Sequence, residues 1–326
     1  MGRRWPPSMI CGGAFVALLL VVAAAAPLLA PYDPVEQLDP PSSAYRPPGT
    51  ELAAIRLADD VWRLADRVRR TPGGLEIERR GETEVLPEAE VLNLTPDGVA
   101  DRRLFLLGSD RFGRDVLSRM LYGTRVSLAV GLISMLLALT LGVAIGSLAA
   151  LGGRVTDAVL MRSVDALLSF PGLFLLLALA TFLGPDPKMT VVILGVTAWT
   201  TISRLIRAEL VGLKEREFVL AARAMGQHPL VIFWRHLLPN AFTPVLIQAT
   251  LLIGALILAE SSLSFLGLGL QPPIPSWGNL IADGRDVLLQ AWWISVFPGA
   301  ALAVTVIAFN LLADGLRDRL DPRSNG

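Results

Sequence analysis

Few side chains in this sequence are suited to chemistry, and their spacing narrows what that chemistry is. The two histidines, His228 and His236, share one short segment. The single cysteine, Cys11, opens an apolar run far from both, so neither a Cys–His nucleophile pair nor a thiolate metal cluster is expected. A phosphate-cradling Walker loop needs a lysine followed by Ser or Thr after a glycine-rich turn. Of the two lysines, Lys188 precedes Met189 and Lys214 precedes Glu215, so ATP hydrolysis is not expected from this chain. No HExxH zinc site and no GxSxG elbow occurs. That leaves Glu260, a lone carboxylate inside a long apolar run. An intramembrane carboxylate is a candidate proton relay, although a relay usually takes more than one such group. Glu260 lies near the end of its run, where it is equally placed to reach water or cap the Ser261-Ser262 turn. No catalytic residue and no metal ligand set is expected.

The elements that hold these residues are membrane spans. The 326 residues are 53% hydrophobic and only 18% charged, whereas soluble domains carry about 25% charge. Lys+Arg and Asp+Glu balance at 29 each, so no polyanionic partner such as nucleic acid is implied. A span needs about 20 mostly apolar residues. The runs 10–30, 127–151, 164–183, 189–206, 241–266 and 292–313 qualify, which predicts six transmembrane helices. The third carries Asp165 at its edge, and the fourth is weakest because Arg204 lies near its end. The first run also has the arginines and small residues of a signal peptide. It continues past Ala23–Ala26 through Leu28, Leu29 and Ala30, which favours a span.

Lys and Arg in the short connections set the orientation. Thirteen lie on one side: Arg3, Arg4, Arg154, Arg162, Arg204, Arg207, Lys214, Arg216, Arg223, Arg235, Arg317, Arg319 and Arg323. The other side holds Lys188 and Arg285. The richer side, with both termini, is therefore expected to be cytoplasmic. The long segment 31–107 between the first two spans is then external. It starts as a proline-rich linker. Its apolar residues Leu52, Ile55, Val61, Trp62, Ala65 and Val68 sit near helical spacing and predict an amphipathic helix over 51–70. Alternation at 75–78 and 83–86 around Arg80-Gly81 predicts a hairpin. A small external α+β insert follows, read either as a structural cap or as a docking surface.

The segment 215–240 reads as two helices with a break. Phe218, Ala221, Ala222 and Met225 form an apolar stripe. Gly226 stands where a helix would end in a left-handed cap, and Pro229 where the next would begin. Pro239 is expected to separate that second helix from the following span. Such a segment serves either as a projecting surface for a partner or as a solvated hairpin.

This segment resembles the EAA loop of binding-protein-dependent ABC importer permeases, with Ala221, Ala222, Gly226, Leu238 and Pro239 at the required spacing. His236 falls at the variable position, and Leu220 departs from the family's glutamate. The resemblance extends to Leu107-Gly108-Ser109-Asp110 and to Gly113-Arg114-Asp115-Val116-Leu117-Ser118-Arg119. Further matches are Glu260-Ser261-Ser262-Leu263-Ser264-Phe265-Leu266-Gly267-Leu268-Gly269, Pro272-Pro273 and Pro275-Ser276-Trp277-Gly278. At the end, Phe309-Asn310-Leu311-Leu312, Asp314-Gly315-Leu316-Arg317-Asp318 and Leu320-Asp321-Pro322-Arg323 agree. Together these resemble the C-type permease of the dipeptide/oligopeptide/nickel family over about 105–323.

The resemblance implies an all-α polytopic membrane protein with a transmembrane domain over 108–323; the N-terminal span (1–30) and the external insert (31–107) come from the sequence pattern, and the insert at 40–103 lies outside the resemblance. It implies alternating access driven by ATP, with ATP and Mg bound by two cytoplasmic ATPase subunits and no cofactor in this chain. A second permease and an external solute-binding protein complete the complex, in a bacterial or archaeal inner membrane among its lipids. Ala221, Ala222, Gly226, His236, Leu238 and Pro239 would form the ATPase-coupling loop. Glu260, Ser261, Ser264 and Asn310 would line the path or pack beside it. Peptides or similar small solutes are the expected cargo. A proton-coupled carrier working through Glu260 is the alternative.

Overall fold

The computed structural model describes residues 6–92 and 99–320. Arg3, Arg4 and Arg323 of the charge count, the motif residues Asp321 and Pro322, and stretch 93–98 of the insert lie outside the described residues. In chain order, α1 (Pro7–Leu29) and the short turn α2 (Pro40–Ser43) lead into seven strands: β1 (Thr50–Leu57), β2 (Trp62–Ala65), β3 (Arg67–Thr71), β4 (Gly74–Arg79), β5 (Glu82–Leu86), β6 (Val91–Leu92) and β7 (Asp101–Phe105). The helices α3 (Val116–Leu151), α4 (Gly153–Leu168), α5 (Gly172–Leu183), α6 (Pro187–Leu213), α7 (Glu217–Ala224), α8 (Pro229–Ile232), α9 (Leu238–Phe265), α10 (Trp277–Gly284) and α11 (Trp293–Leu320) follow. Two compact units result. One takes the first part of α1, Ser127–Gln271 and α11 from Leu302; the other takes Val22–Val126 and Pro272–Ala301.

Among the described residues, five helical stretches are long and apolar enough to cross a membrane: Pro7–Leu29, Val116–Leu151, Pro187–Leu213, Pro229–Phe265 and Trp293–Leu320. The expected third span is different. It is not one helix but the pair α4 and α5, bent by 87°. Pro171 starts α5 as its cap, and the residue before a proline is pushed away from helical backbone, so the helix must stop at Ser169-Phe170. The Arg204 that weakened the fourth span has a partner here, and so does Arg207 beyond it. Arg204 and Arg207 of α6 pair with Asp165 and Asp157 of α4. Charges in apolar helices are tolerated when paired in this way.

Within this unit α6 packs on α4, α5 and α9. It also packs on α3, at two glycines one turn apart. A Cβ on Gly142 would lie 2.5 Å from Ile202 Cβ, and one on Gly146 2.4 Å from the Ser203 carbonyl oxygen. The GxxxG pair therefore lets two helices of the same chain approach closely.

The insert contains strands where a helix is expected over 51–70. Asp59 and Asp60 interrupt the helical pattern, since aspartate competes for backbone hydrogen bonds. Asp60 turns left-handed at φ 66°, and the Leu57 N–H donates to the Val61 carbonyl at 2.8 Å. β1 and β2 then pair antiparallel, Ala54 opposite Leu64, while β7 pairs on the other edge of β1. β1 is buried on both faces. Leu52 and Ala54 pack with Leu64 and Phe105, and Ile55 and Leu57 pack with Ala65, Leu75, Ile77 and Leu86. A strand covered on both sides shows no polar alternation, so its apolar residues mimic a helical stripe. The hairpin expected at Arg80-Gly81 is present. β4 and β5 pair with Arg79 opposite Glu82, and both turn residues have positive φ, as a two-residue hairpin prefers.

Part-buried ion pairs tie the linker to this sheet. Asp39, 3% exposed, binds Arg79 at 2.7 Å and accepts the Leu64 N–H at 2.8 Å. Arg46 binds Asp66 through two bonds of 2.6 and 2.9 Å. Burial pushes the Asp66 carboxyl up, but hydrogen bonds from Arg46 and the Arg80 N–H outweigh this and hold it below the usual aspartate range. A carboxyl lowered on folding stabilises above its unfolded value and loses that contribution as pH falls through the folded one. Protease resistance of the insert should therefore decline below about pH 4. Arg46→Ala should loosen it already at neutral pH and flatten the acid step. An unchanged acid profile in that variant would contradict the assignment.

Candidate functional site

The geometry of 214–240 starts from the end of α7. The Gly226 N–H donates to the Arg223 carbonyl at 2.9 Å and the Gln227 N–H to the Ala222 carbonyl at 3.1 Å. Gly226 has φ 76°, so the helix closes in a left-handed Schellman cap. Pro229 then begins α8, with His228 capping it: its Nδ1 accepts from the Leu230 N–H at 3.3 Å. His236 clasps the turn. Its Nε2 lies 3.2 Å from Gln227 Oε1, and its ring is 6.4 Å from that of Phe218.

Pro239 does not separate the second helix from the span. A π turn at Phe233–Leu237 joins α8 to α9 without a break, with the Leu238 N–H reaching the Phe233 carbonyl. The wider turn absorbs the donor that Pro239 lacks. The two alanines also divide. Ala222 is buried with Val219 against Ile206, Leu210, Ile232 and Phe233, while Ala221 is exposed. Phe218, Leu220 and Met225 surround Ala221 in sequence and are 42%, 50% and 71% exposed.

Within this chain Glu260 does not reach water and instead engages the serines around it. It is fully buried and accepts from Ser264 Oγ at 2.7 Å, Ser261 Oγ at 3.4 Å and Ser127 Oγ at 3.5 Å. Ser264 Oγ accepts in turn from the Leu270 N–H at 3.0 Å. The carboxylate thus joins α3, α9 and the segment after α9. Asn310 is exposed on α11 and is not among these donors.

A family model described as "Binding-protein-dependent transport system inner membrane component" matches residues 142–326. The chain belongs to this family. It is a multi-pass membrane protein, the permease subunit of an ABC importer. Among its relatives, a putative peptide transport system permease protein of Brucella suis is 44% identical over 67% of this chain and 73% of its own length. A putative peptide permease of Brucella ovis is 46% identical over 67% and 72%. The dipeptide transport system permease protein of Alkalihalophilus pseudofirmus is 39% identical over 66% and 71%. A solved amino acid ABC transporter shares the fold with a TM-score of 0.50 at 16% identity, covering 63% of this permease and 95% of that chain.

One constellation of this permease escapes sequence reading. Asp110, Arg114 and Arg119 come from a segment that the resemblance covers, but their partner Asp283 is more than 160 residues away, at the end of α10. Arg114 Nε donates to Asp110 at 2.6 Å and its Nη2 to Asp283 at 3.3 Å. Arg119 reaches the same two carboxylates at 3.5 Å, and exposed Arg111 reaches Asp283 at 3.5 Å. Arg114 and Arg119 are at most 2% exposed, and Asp283 is 10% exposed. Burial pushes the Asp283 carboxyl above its ordinary range, while Arg119, Arg111 and Arg114 pull against it. The Trp293 indole donates to the Ser109 carbonyl at 3.1 Å beside this cluster. Nothing local in 276–286 marks Asp283 as a partner, because the pairing is purely tertiary.

Proposed function

We propose that this permease couples to cytoplasmic ATPase subunits through the surface around Ala221, with Gly226 setting its angle. The observation that carries this is a short helix closed by a left-handed glycine. It presents exposed Phe218, Leu220, Ala221 and Met225 outward, while Val219 and Ala222 root it in the membrane core. ATP closure of the ATPases would press on α7, and the continuous α8–π–α9 rod would pass that displacement into the span. ATP and Mg belong to those subunits. A second permease completes the path, and an external solute-binding protein delivers the cargo. Peptides are the cargo class we favour, supported by the peptide names of relatives at 44–46% identity. Glu260 with its serine donors acts in packing beside the path. The loop and both termini face the cytoplasm and the insert faces outward, supported by the thirteen-to-two imbalance of Lys and Arg.

Ala221→Cys in the complex with its ATPases tests the coupling surface. Cross-linking to an ATPase subunit that changes with nucleotide is expected. No cross-link in a complex that still transports would move the contact elsewhere. Thr83→Cys should label from outside in intact cells, and labelling only after permeabilisation would reverse the topology.

A further inference from the structure

Beside the loop, two cavities meet. An apolar groove of about 670 Å³ runs between α3 and the α8–α9 junction, walled by residues such as Val143, Leu148, Trp234, Leu238 and Phe242. A second chamber of about 400 Å³ contains Lys214, Arg223 and Gln227. Leu151, Leu230 and Phe233 line both, so the two cavities adjoin across a shared wall. Among the described residues, no Asp or Glu lines either one. The nearby carboxylate Asp157 is already paired with Arg207.

We propose that these two adjoining cavities together bind one anionic phospholipid, with its phosphate at Lys214 and Arg223 and an acyl chain along the groove. The walls of the groove are hydrocarbon on one side and basic at one end, as such a lipid requires. Lys214 donates to the Ala150 carbonyl, which holds its ammonium at the chamber. Burial and the neighbouring Arg223 both depress its proton affinity, so two cations are held together at a cost that an anion between them would relieve. Ser147, 7% exposed on the groove wall, has a hydroxyl with no protein partner. It can donate to a lipid ester carbonyl at the depth where glycerol meets chain. Trp234, 65% exposed, sits at the mouth, where tryptophans anchor at a bilayer interface. Basic pockets between helices near the cytoplasmic face hold acidic headgroups by the same logic. The site requires only a membrane and does not depend on the loop meeting an ATPase.

The test uses the whole complex, delipidated in mild detergent and incubated with phosphatidylglycerol or phosphatidylcholine, with retained lipid measured by mass spectrometry. Phosphatidylglycerol should be retained about tenfold more strongly or better, from two basic groups near the surface. Lys214→Gln with Arg223→Gln should erase that preference. Val143→Trp, which fills the groove and leaves both charges in place, should lose the lipid as well. This second variant keeps the test open if the double variant folds poorly. Equal retention of the two lipids by the unaltered complex would overturn the proposal. So would a preference that survives the double variant, or displacement by inorganic phosphate, which would leave an anion pocket without a lipid. Cross-linking of Trp234→Cys to the second permease, with no lipid retained, would give the groove to a protein neighbour and also overturn it.

Discussion

Gly226→Val should sharply reduce coupled transport while leaving the permease in the membrane. The φ of 76° at this position lies in the left-handed region, which costs a non-glycine residue about 1–2 kcal/mol and a β-branched one more. A Cβ there would meet nothing within 4 Å, so the penalty comes from the backbone and not from a clash. The chain escapes it by re-aiming α7, which carries Ala221 and the exposed apolar residues. A shift of that free energy lowers the docked population about 5- to 30-fold. Uptake and substrate-stimulated ATP hydrolysis in the reconstituted complex should fall together by about that factor. Gly226→Asn, a residue that accepts left-handed backbone, should retain most activity. Ala221→Asp should uncouple as well, because its side chain is at the surface. Ala222→Arg acts differently: Ala222 is 1% exposed, so an arginine there disrupts the loop's own packing and should show as poor stability. Leu220→Glu, on the exposed side, should be tolerated. Wild-type uptake and hydrolysis in a normally inserted Gly226→Val complex would remove the loop from the mechanism.

Asp283→Asn should be the most damaging single change for stability. It leaves Arg114 and Arg119, both buried, with Asp110 as their remaining partner. Removing one member of a buried ion network strands charge in a poorly solvated place and costs about 3–5 kcal/mol. Thermal unfolding of the detergent-solubilised permease should shift accordingly. Asp283→Glu should recover part of the loss. Arg111→Gln removes an exposed partner at 3.5 Å and should change stability by less than about 1 kcal/mol. An Asp283→Asn protein within about 1 kcal/mol of the original would mean that Asp110 alone neutralises the arginines.

These two sites differ in how far the sequence reveals them. The loop is legible because its determinants are local: a glycine that must turn left-handed, a proline that starts a helix, and an apolar stripe between them. The long spans are legible because the bilayer demands uninterrupted apolar length. The hairpin at Arg80-Gly81 is legible because two-residue turns accept few residue types. Where distant chain segments decide, sequence reading stops. The strand 50–57 is made a strand by β7 and by cores on both its faces, and neither is visible in its own pattern. The bend at Ser169–Pro171 is hidden because composition on both sides of it is equally apolar. Pro239 reads as a breaker until the π turn before it is seen. Glu260 looks like a lone charge until the serines of α3 and α9 are brought to it. Asp283 has no local signal at all.

The central strand of the insert has a consequence for biogenesis. β1 is completed on one edge by β7, whose last residue is Phe105, while its first is Thr50. During synthesis, the strand emerges from the ribosome long before the partner that covers it. The hairpins of β1 with β2 and of β4 with β5 are local, but the sheet around β1 is completed only when nearly all of the segment has been delivered, and closing so long a loop slows its formation. If the segment is exported, that delay is useful: a chain that cannot close early is one that a translocation channel can still thread. Moving β7 ahead of β1 by circular rearrangement of the insert would let the sheet form early, and should slow membrane assembly of the permease without weakening the finished fold.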